Sequence, residues 1–313
     1  MKIVLFSLYI LLACSISAGA QLPKTEIWVF DLREDVTGYK ISNPTKVKVG
    51  DEYNNQPYFT QDGQTMYFVS NRKKGAKTDI YKYDFQKRGK KIKRITNTKN
   101  EAEYSPRLTP GGDRISCVRV AKDTITQNMC TYDLNGRRAE ILFPEIKTFG
   151  YYCWKSQIDL LAFHVPEPFQ FIKHNFPYNK HDTLERSIGR CIKKIHGKIL
   201  YVDKSDSTKW YIKILNNKRL SNREYNVIPN DKILSSALQG AEDFDFIRGR
   251  DMVMAKDGFI YIKRKIFQES NQAWTPAMSL NFFKLYDVYR IAVSPNANRL
   301  AVVARVQETD AME

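Results

Sequence analysis

Two adjacent carboxylates, Glu242 and Asp243, and two arginines, Arg190 and Arg290, are the residues of this chain whose types could do chemistry together. An acidic pair can work as acid and base or join a Ca2+ ligand set, and a guanidinium can grip a carboxylate through two parallel hydrogen bonds. These residues belong to a longer pattern. Polar or aromatic residues precede six apolar anchors by three to five positions: Asn55-Gln56 before Phe59, Glu103-Tyr104 before Leu108, Gly150-Tyr151 before Trp154, Arg190 before Ile195, Glu242-Asp243 before Phe246, and Tyr289-Arg290 before Val293. A fold that places the anchors equivalently around an axis gathers them into one ring. Such a ring of carboxylates, guanidinium groups, amides and phenols can hydrogen-bond a peptide segment or a polar ligand, or its members can satisfy one another.

The anchors are separated by 49, 46, 41, 51 and 47 residues, the length of a four-stranded sheet with short loops. Each anchor is expected to begin the first strand of a unit. Tyr58-Phe59-Thr60-Gln61 enters a turn at Asp62-Gly63 and continues as an alternating strand to Ser70; Asp79 to Asp84 follows as a third strand. The pattern returns at Arg107 to Gly112, Ile115 to Val120 and Met129 to Asp133, and again at Ile291 to Asn296 and Arg299 to Ala304. The units at Trp154, Ile195 and Phe246 are degenerate and rest on spacing and alternation. No segment sustains a 3.6-residue period.

The chain ends complete the count. Glu26 to Asp31 resembles a third strand without a first or second, and Arg290 to Val306 supplies a first and second without a third. Joined, they make one composite sheet that closes the circle and removes two open edges. The expectation is an all-β, six-bladed β-propeller occupying residues 21–313 as a single domain.

At this point the residues carry a family resemblance. Tyr58 to Gly63, Tyr67-Phe68-Val69-Ser70-Asn71-Arg72 and Asp79-Ile80-Tyr81 resemble the WD40-like repeat of TolB-type propellers. With Glu103 to Pro110, Ser187 to Arg190 and Arg290 to Pro295, the whole chain is similar to exported TolB-like propellers of Bacteroidetes-type bacteria. The turns at Thr109-Pro110-Gly111-Gly112 and Ser294-Pro295-Asn296-Ala297 lack that repeat's aspartate. The resemblance implies a non-catalytic protein that binds a protein or other envelope component, with an extended peptide entering the channel. The contrasting reading is a hydrolase or lactonase acting on a small molecule or sugar through Glu242 and Asp243, with Ca2+ in attendance.

Residues 1–20 read as a signal peptide: Lys2, an apolar run from Ile3 to Ala13, and a small-x-small site at Ala18-Gly19-Ala20. A lipoprotein reading, with Leu11-Leu12-Ala13 before an acylated Cys14, competes with it. Either way the chain is exported, and a periplasmic location is expected. Four later cysteines are Cys117, Cys130, Cys153 and Cys191. Cys117 and Cys130 would face each other on a hairpin turning at Asp123-Thr124, as buried thiols or as a cross-strand disulfide. The net charge is +16, and loss of Lys2 leaves +15, concentrated in Lys87 to Arg94 and in Lys193, Lys194, His196 and Lys198. Export makes nucleic acid a poor partner; an acidic protein surface, an anionic lipid or a glycan suits the basic flank, or the run is a solvated outer strand. No Gly-x-Ser-x-Gly, Walker or His-Glu-x-x-His motif is present. No cofactor, metal or catalytic residue is expected, and a monomer is. Trp28, Trp154 and Trp210 are expected in the core and Trp274 at the surface.

Overall fold

In the computed structural model, residues 22–71, 77–167, 169–216, 231–268 and 272–306 are described. The expected signal segment, residues 1–20 with Cys14, lies outside them. The described residues form six four-stranded antiparallel sheets. The first two strands, β1 (Thr25–Asp35) and β2 (Gly38–Val47), are the outer half of a composite blade. Blade two comprises β3 (Asn54–Phe59), β4 (Thr65–Ser70), β5 (Asp79–Asp84) and β6 (Ile92–Arg94), and blade three β7 (Ala102–Leu108), β8 (Arg114–Val120), β9 (Gln127–Asp133) and β10 (Glu140–Ile141). Blade four comprises β11 (Phe149–Trp154), β12 (Asp159–His164), β13 (Gln170–Asn175) and β14 (Lys180–Arg186). Blade five comprises β15 (Ile188–Ile195), β16 (Lys198–Asp203), β17 (Tyr211–Ile214) and β18 (Lys232–Ser236). Blade six comprises β19 (Phe244–Ile247), β20 (Asp251–Lys256), β21 (Phe259–Lys263) and β22 (Thr275–Ser279). Finally β23 (Val288–Val293) and β24 (Arg299–Arg305) return to the composite blade, ordered β2-β1-β24-β23. The fold is thus an all-β, six-bladed propeller closed by its two ends, with Trp28 opposite Val302 and Phe30 opposite Leu300.

The core is six apolar clusters, one at each interface between neighbouring blades. In β4, Met66 and Phe68 face the composite blade, while Tyr67 and Val69 face blade three. Because both faces of a middle strand are buried, Met66 to Val69 reads as a continuous apolar run. Outer strands pack on one side only and stay polar; β6 is Ile-Lys-Arg, and Lys87 to Lys90 beside it are exposed. The basic run is therefore an outer-edge feature of blade two.

The anchors sit elsewhere in their strands than expected. Phe59, Leu108, Trp154, Ile195 and Val293 end their first strands rather than begin them, and Phe246 is one residue from the end. The hidden first halves contain β-bulges, where the register slips between Asn55 and Tyr58, Tyr104 and Arg107, Phe149 and Tyr151, Ile188 and Ile192, and Val288 and Arg290. An extra residue breaks the two-residue alternation on which a strand is recognised. Gln56 and Ser105 occupy left-handed φ values of 55° and 54° at two of these bulges.

Cys117 and Cys130 are register partners on β8 and β9, and all four described cysteines are buried free thiols. Trp28, Trp154 and Trp210 are half-buried rather than fully in the core, as is Trp274, whose indole donates to Ser236 O. No described helix is long and apolar enough to cross a membrane.

Candidate functional site

The six first strands surround a cavity of about 420 Å3. Five of these strands carry a bulge near their start, and side chains there are aimed at the axis. Gln56, Tyr151, Arg190, Asp243 and Arg290 of the expected ring line this cavity. Arg190 Nε donates to Asp243 Oδ1 at 2.8 Å, and its Nη2 donates to Tyr289 O at 2.8 Å, reaching past blade six to the composite blade. Arg290 Nη1 lies 3.6 Å from Asp243 Oδ2, and Nη2 donates to Tyr151 OH at 3.1 Å. The Tyr289 ring lies beneath both guanidinium groups, at 5.5 and 5.7 Å. Gln56 Oε1 accepts from Ser105 N at 2.7 Å, tying the bulge of blade two to that of blade three. These bonds cross and brace the axis where the strands begin.

The other expected ring residues point elsewhere. Glu242 Oε2 accepts Arg190 N at 2.9 Å and its Oε1 pairs with Lys204 at 2.9 Å. Gly189 permits this approach, since a Cβ there would lie 3.1 Å from Glu242 Oε2. Asn55 Nδ2 donates to Tyr289 OH, Tyr104 packs edge-on to Tyr53, and none of Asn55, Tyr104 and Glu242 lines the cavity. Glu103 is fully buried between blades two and three, where its oxygens accept from Tyr132 OH, Thr96 Oγ1 and Thr98 Oγ1. Burial pushes its carboxyl up to about 7 against the pull of these hydroxyls. Successive strand residues leave opposite faces, so no expected dipeptide sends both members to the axis, and Glu103-Tyr104 sends neither.

Sequence reasoning missed a second tier. Tyr58, Arg107, Cys153, Lys193 and Ala292, which follow the bulges, and Asp245 on the unbulged β19 line the deeper wall. Five of these lie two residues beyond Gln56, Ser105, Tyr151, Asp243 and Arg290, so strand alternation was the signal that could have found them. Lys193 Nζ pairs with Asp245 Oδ2 at 2.8 Å; that oxygen also accepts Val293 N at 2.9 Å, and Oδ1 accepts Phe246 N at 2.9 Å. Burial opposes the charges of Arg190 and Lys193, but the neighbours of each, Asp243 and Glu242 for the first and Asp245 and Cys191 for the second, together hold both pKa values above their usual ranges. Of the second basic cluster, Lys193, Lys194 and His196 thus belong to the channel rather than the flank, while Lys198 is exposed outside it. Beyond this tier the cavity reaches Gln61, His196, Gly249 and Pro295, in the turns between first and second strands, and Gln61, Lys194, His196 and Pro295 are exposed. The cavity therefore opens on the face opposite the strand starts.

His164, His174 and His181 form a chain in blade four, remote from this cavity, each using a different nitrogen for each neighbour. Their nitrogens do not converge on one point, and no described cluster of three or more His, Cys, Asp or Glu could hold a metal ion.

Blade number, closure and an axial polar cavity define a six-bladed β-propeller. Its fold is TolB-like. No protein-family model matches the sequence, and no curated protein matches it. Among solved structures, TolB from Acinetobacter baumannii superposes with a TM-score of 0.52 at 14% identity, covering 90% of this chain and 64% of that one. This chain thus spans less than two thirds of that TolB chain. A chain of a nidogen/laminin complex gives a TM-score of 0.56 at 10% identity, covering 90% of this chain and 99% of that one. Oligogalacturonate lyase from Vibrio parahaemolyticus gives 0.48 at 12% identity, covering 92% and 99%. These identities establish likeness of fold alone.

Proposed function

We propose that this chain is an exported, non-catalytic adaptor that takes a segment of an envelope protein into the open end of its channel. One observation carries the reading: the cavity is preformed, polar and open at one end, and its carboxylates are already held. Asp243 is shared by Arg190 and Arg290, and Asp245 by Lys193 and two backbone amides. A general base needs a free lone pair within reach of substrate, whereas ion-paired walls offer fixed donors to a guest. The hydrolase reading would draw on Glu242 and Asp243, whose oxygens are taken by Lys204, Arg190 and Arg290. The leader-like residues 1–20 support export. Similarity of fold to TolB agrees with the adaptor reading without deciding it.

Photo-crosslinking in intact cells tests this. A crosslinking residue at Gln61 or Pro295, on the open end, should trap one protein, while one at exposed Ile125 in the turn between β8 and β9 should not. Equal trapping at all three positions, or none, overturns the proposal.

A further inference from the structure

Arg107 is a cation without an acid. It lies on β7, half-buried in the cavity wall, and among the described residues no carboxylate pairs with it. Tyr58 and Tyr152 flank its guanidinium, each ring centroid 5.8 Å away. Aromatic faces hold a guanidinium plane in place and leave its N–H edge free for an acceptor. The carboxylate of the deeper wall is committed: Asp245 accepts from Lys193, Val293 N and Phe246 N. The positive charge of Arg107 acts against that of Lys193, and the one acid paired on this part of the wall, Asp245, is held by Lys193.

The whole lining shows the same excess. Arg107, Arg190, Lys193, Lys194 and Arg290 contribute five positive charges, and Asp243 and Asp245 two negative ones. Arg190 and Arg290 share the one charge of Asp243 and also donate to Tyr289 O and Tyr151 OH, and Lys193 pairs with Asp245. Lys194 is exposed to solvent, which leaves Arg107, between the ring and the open end, as the half-buried lining cation that no carboxylate among the described residues partners. A half-buried cation without an acid loses hydration that its two aromatic neighbours restore only in part, so the site favours an incoming anion. The local excess around Arg107, Lys193 and Asp245 is one charge, which a single carboxylate matches and a phosphate dianion exceeds. A cavity of about 420 Å3 holds one or two residues of a peptide.

We infer that the channel seats a carboxylate on the guanidinium of Arg107, supplied by an acidic side chain or the C-terminus of the entering peptide. This rests on the adaptor reading and adds the chemistry of its guest. Arg107 is the anchoring donor, Lys193 adds attraction from the neighbouring wall, and Lys194 and His196 stand on the guest's path at the open end.

Calorimetric titration of the full chain at low ionic strength tests the inference with four probes. They are an acetylated, amidated peptide with one central glutamate, its glutamine counterpart, a triglycine with a free C-terminus, and glucuronate. At least one carboxylate-bearing peptide should bind about tenfold or more tightly than the glutamine peptide. Which of the two does so identifies a side chain or a terminus as the source. Arg107→Gln should erase the difference, and Arg107→Lys should retain part of it. Melting curves establish that Arg107→Gln is folded; should it not be, the comparison rests on the wild-type chain and Arg107→Lys. Equal binding of the glutamate, free-terminus and glutamine peptides, or discrimination that persists in Arg107→Gln, overturns the carboxylate seat and leaves the adaptor reading standing. Arg107-dependent binding of glucuronate alone keeps the seat and overturns the peptide guest. Failure of every probe to bind at millimolar concentration overturns the seat, and the crosslinking experiment then decides the adaptor reading separately.

Discussion

Arg290 and Tyr151 meet across the propeller axis: Nη2 of the first donates to the phenol of the second at 3.1 Å, although their blades stand diametrically opposite. The guanidinium also lies over the Tyr151 ring, 5.3 Å from its centroid, and faces Asp243 from a third blade. The composite blade, blade four and blade six are thereby tied through one side chain. Arg290→Met should lower stability by about 2 kcal/mol, because Asp243 keeps Arg190 and loses only its second partner. Tyr151→Phe should cost about 1 kcal/mol, and in a double-mutant cycle followed by urea unfolding the two should couple by a comparable amount. Strict additivity would show that the bond across the axis contributes nothing to stability.

Glu103 makes a second prediction, with a sign opposite to that of most carboxylates. Its pKa rises from 4.5 to about 7 on folding because burial disfavours the anion. The native state then binds more protons than the unfolded state between these values, so this residue's contribution falls as pH rises through that window, by up to about 3 kcal/mol. Glu103→Gln keeps an acceptor for Tyr132 and abolishes the titration. The variant should gain stability relative to wild type between pH 5 and pH 8. A constant difference across that range would refute the assignment.

The same residue shows what the sequence could and could not disclose. The middle strands were legible because burial on both faces leaves runs such as Met66 to Val69 and Leu160 to Phe163. The joined ends were legible because Glu26 to Asp31 and Arg299 to Ala304 each lacked the partners the other had. Outer strands such as β10, Glu-Ile, and β22, Thr-Pro-Ala-Met-Ser, pack too little apolar surface to leave a pattern. Spacing located the ring residues, but spacing carries no direction. Glu103 and Asn55 were placed at the axis because the bulges that turn their neighbours inward are invisible to a period-two reading. Arg107 and Lys193 were overlooked for a related reason: they lie in the latter halves of strands whose starts had been set too late.

Closure of the ring supports a third prediction. β1 pairs with β24 from Thr25–Arg305 through Asp31–Arg299, and Ile27, Val29 and Phe30 are buried on both sides of that pairing. Ending the chain at Ala297 removes β24, leaves β1 and β23 with open edges, and exposes the clusters built on Val302 and Val303. The truncated chain should lose its cooperative thermal transition and aggregate, as scattering during a melt would reveal. Ending it at Arg305 should leave the transition in place. A truncation at Ala297 that still melts as one unit would mean that the blades hold together without closure.

The histidine chain of blade four sets the acid limit of the fold. Thr148 Oγ1 lies 2.8 Å from His164 Nδ1, His164 Nε2 lies 2.7 Å from His174 Nε2, His174 Nδ1 lies 2.9 Å from His181 Nδ1, and His181 Nε2 lies 3.7 Å from Glu145 Oε1. One set of neutral tautomers satisfies every contact: Thr148 donates to His164, His164 to His174, His174 to His181, and His181 faces Glu145. Phe143 and Phe149 pack against His174, and both inner imidazoles are buried. A proton on either inner ring would have to sit in that apolar surround and would turn an acceptor into a second donor. Burial, the first cause, and the neighbouring imidazoles accordingly hold His164 at about 4 and His174 at about 3, below the usual 6.5. The unfolded chain therefore binds more protons than the native one between pH 6.5 and about 3. Stability from these residues is complete above pH 6.5 and drains away as pH falls through that window. The loss should reach about 3 kcal/mol or more by pH 4, with the two rings acting as a coupled pair. Urea midpoints between pH 7 and pH 4 measure it, and His174→Leu should flatten the decline even though it lowers stability at pH 7. A variant that keeps the full wild-type slope would assign acid sensitivity to other groups.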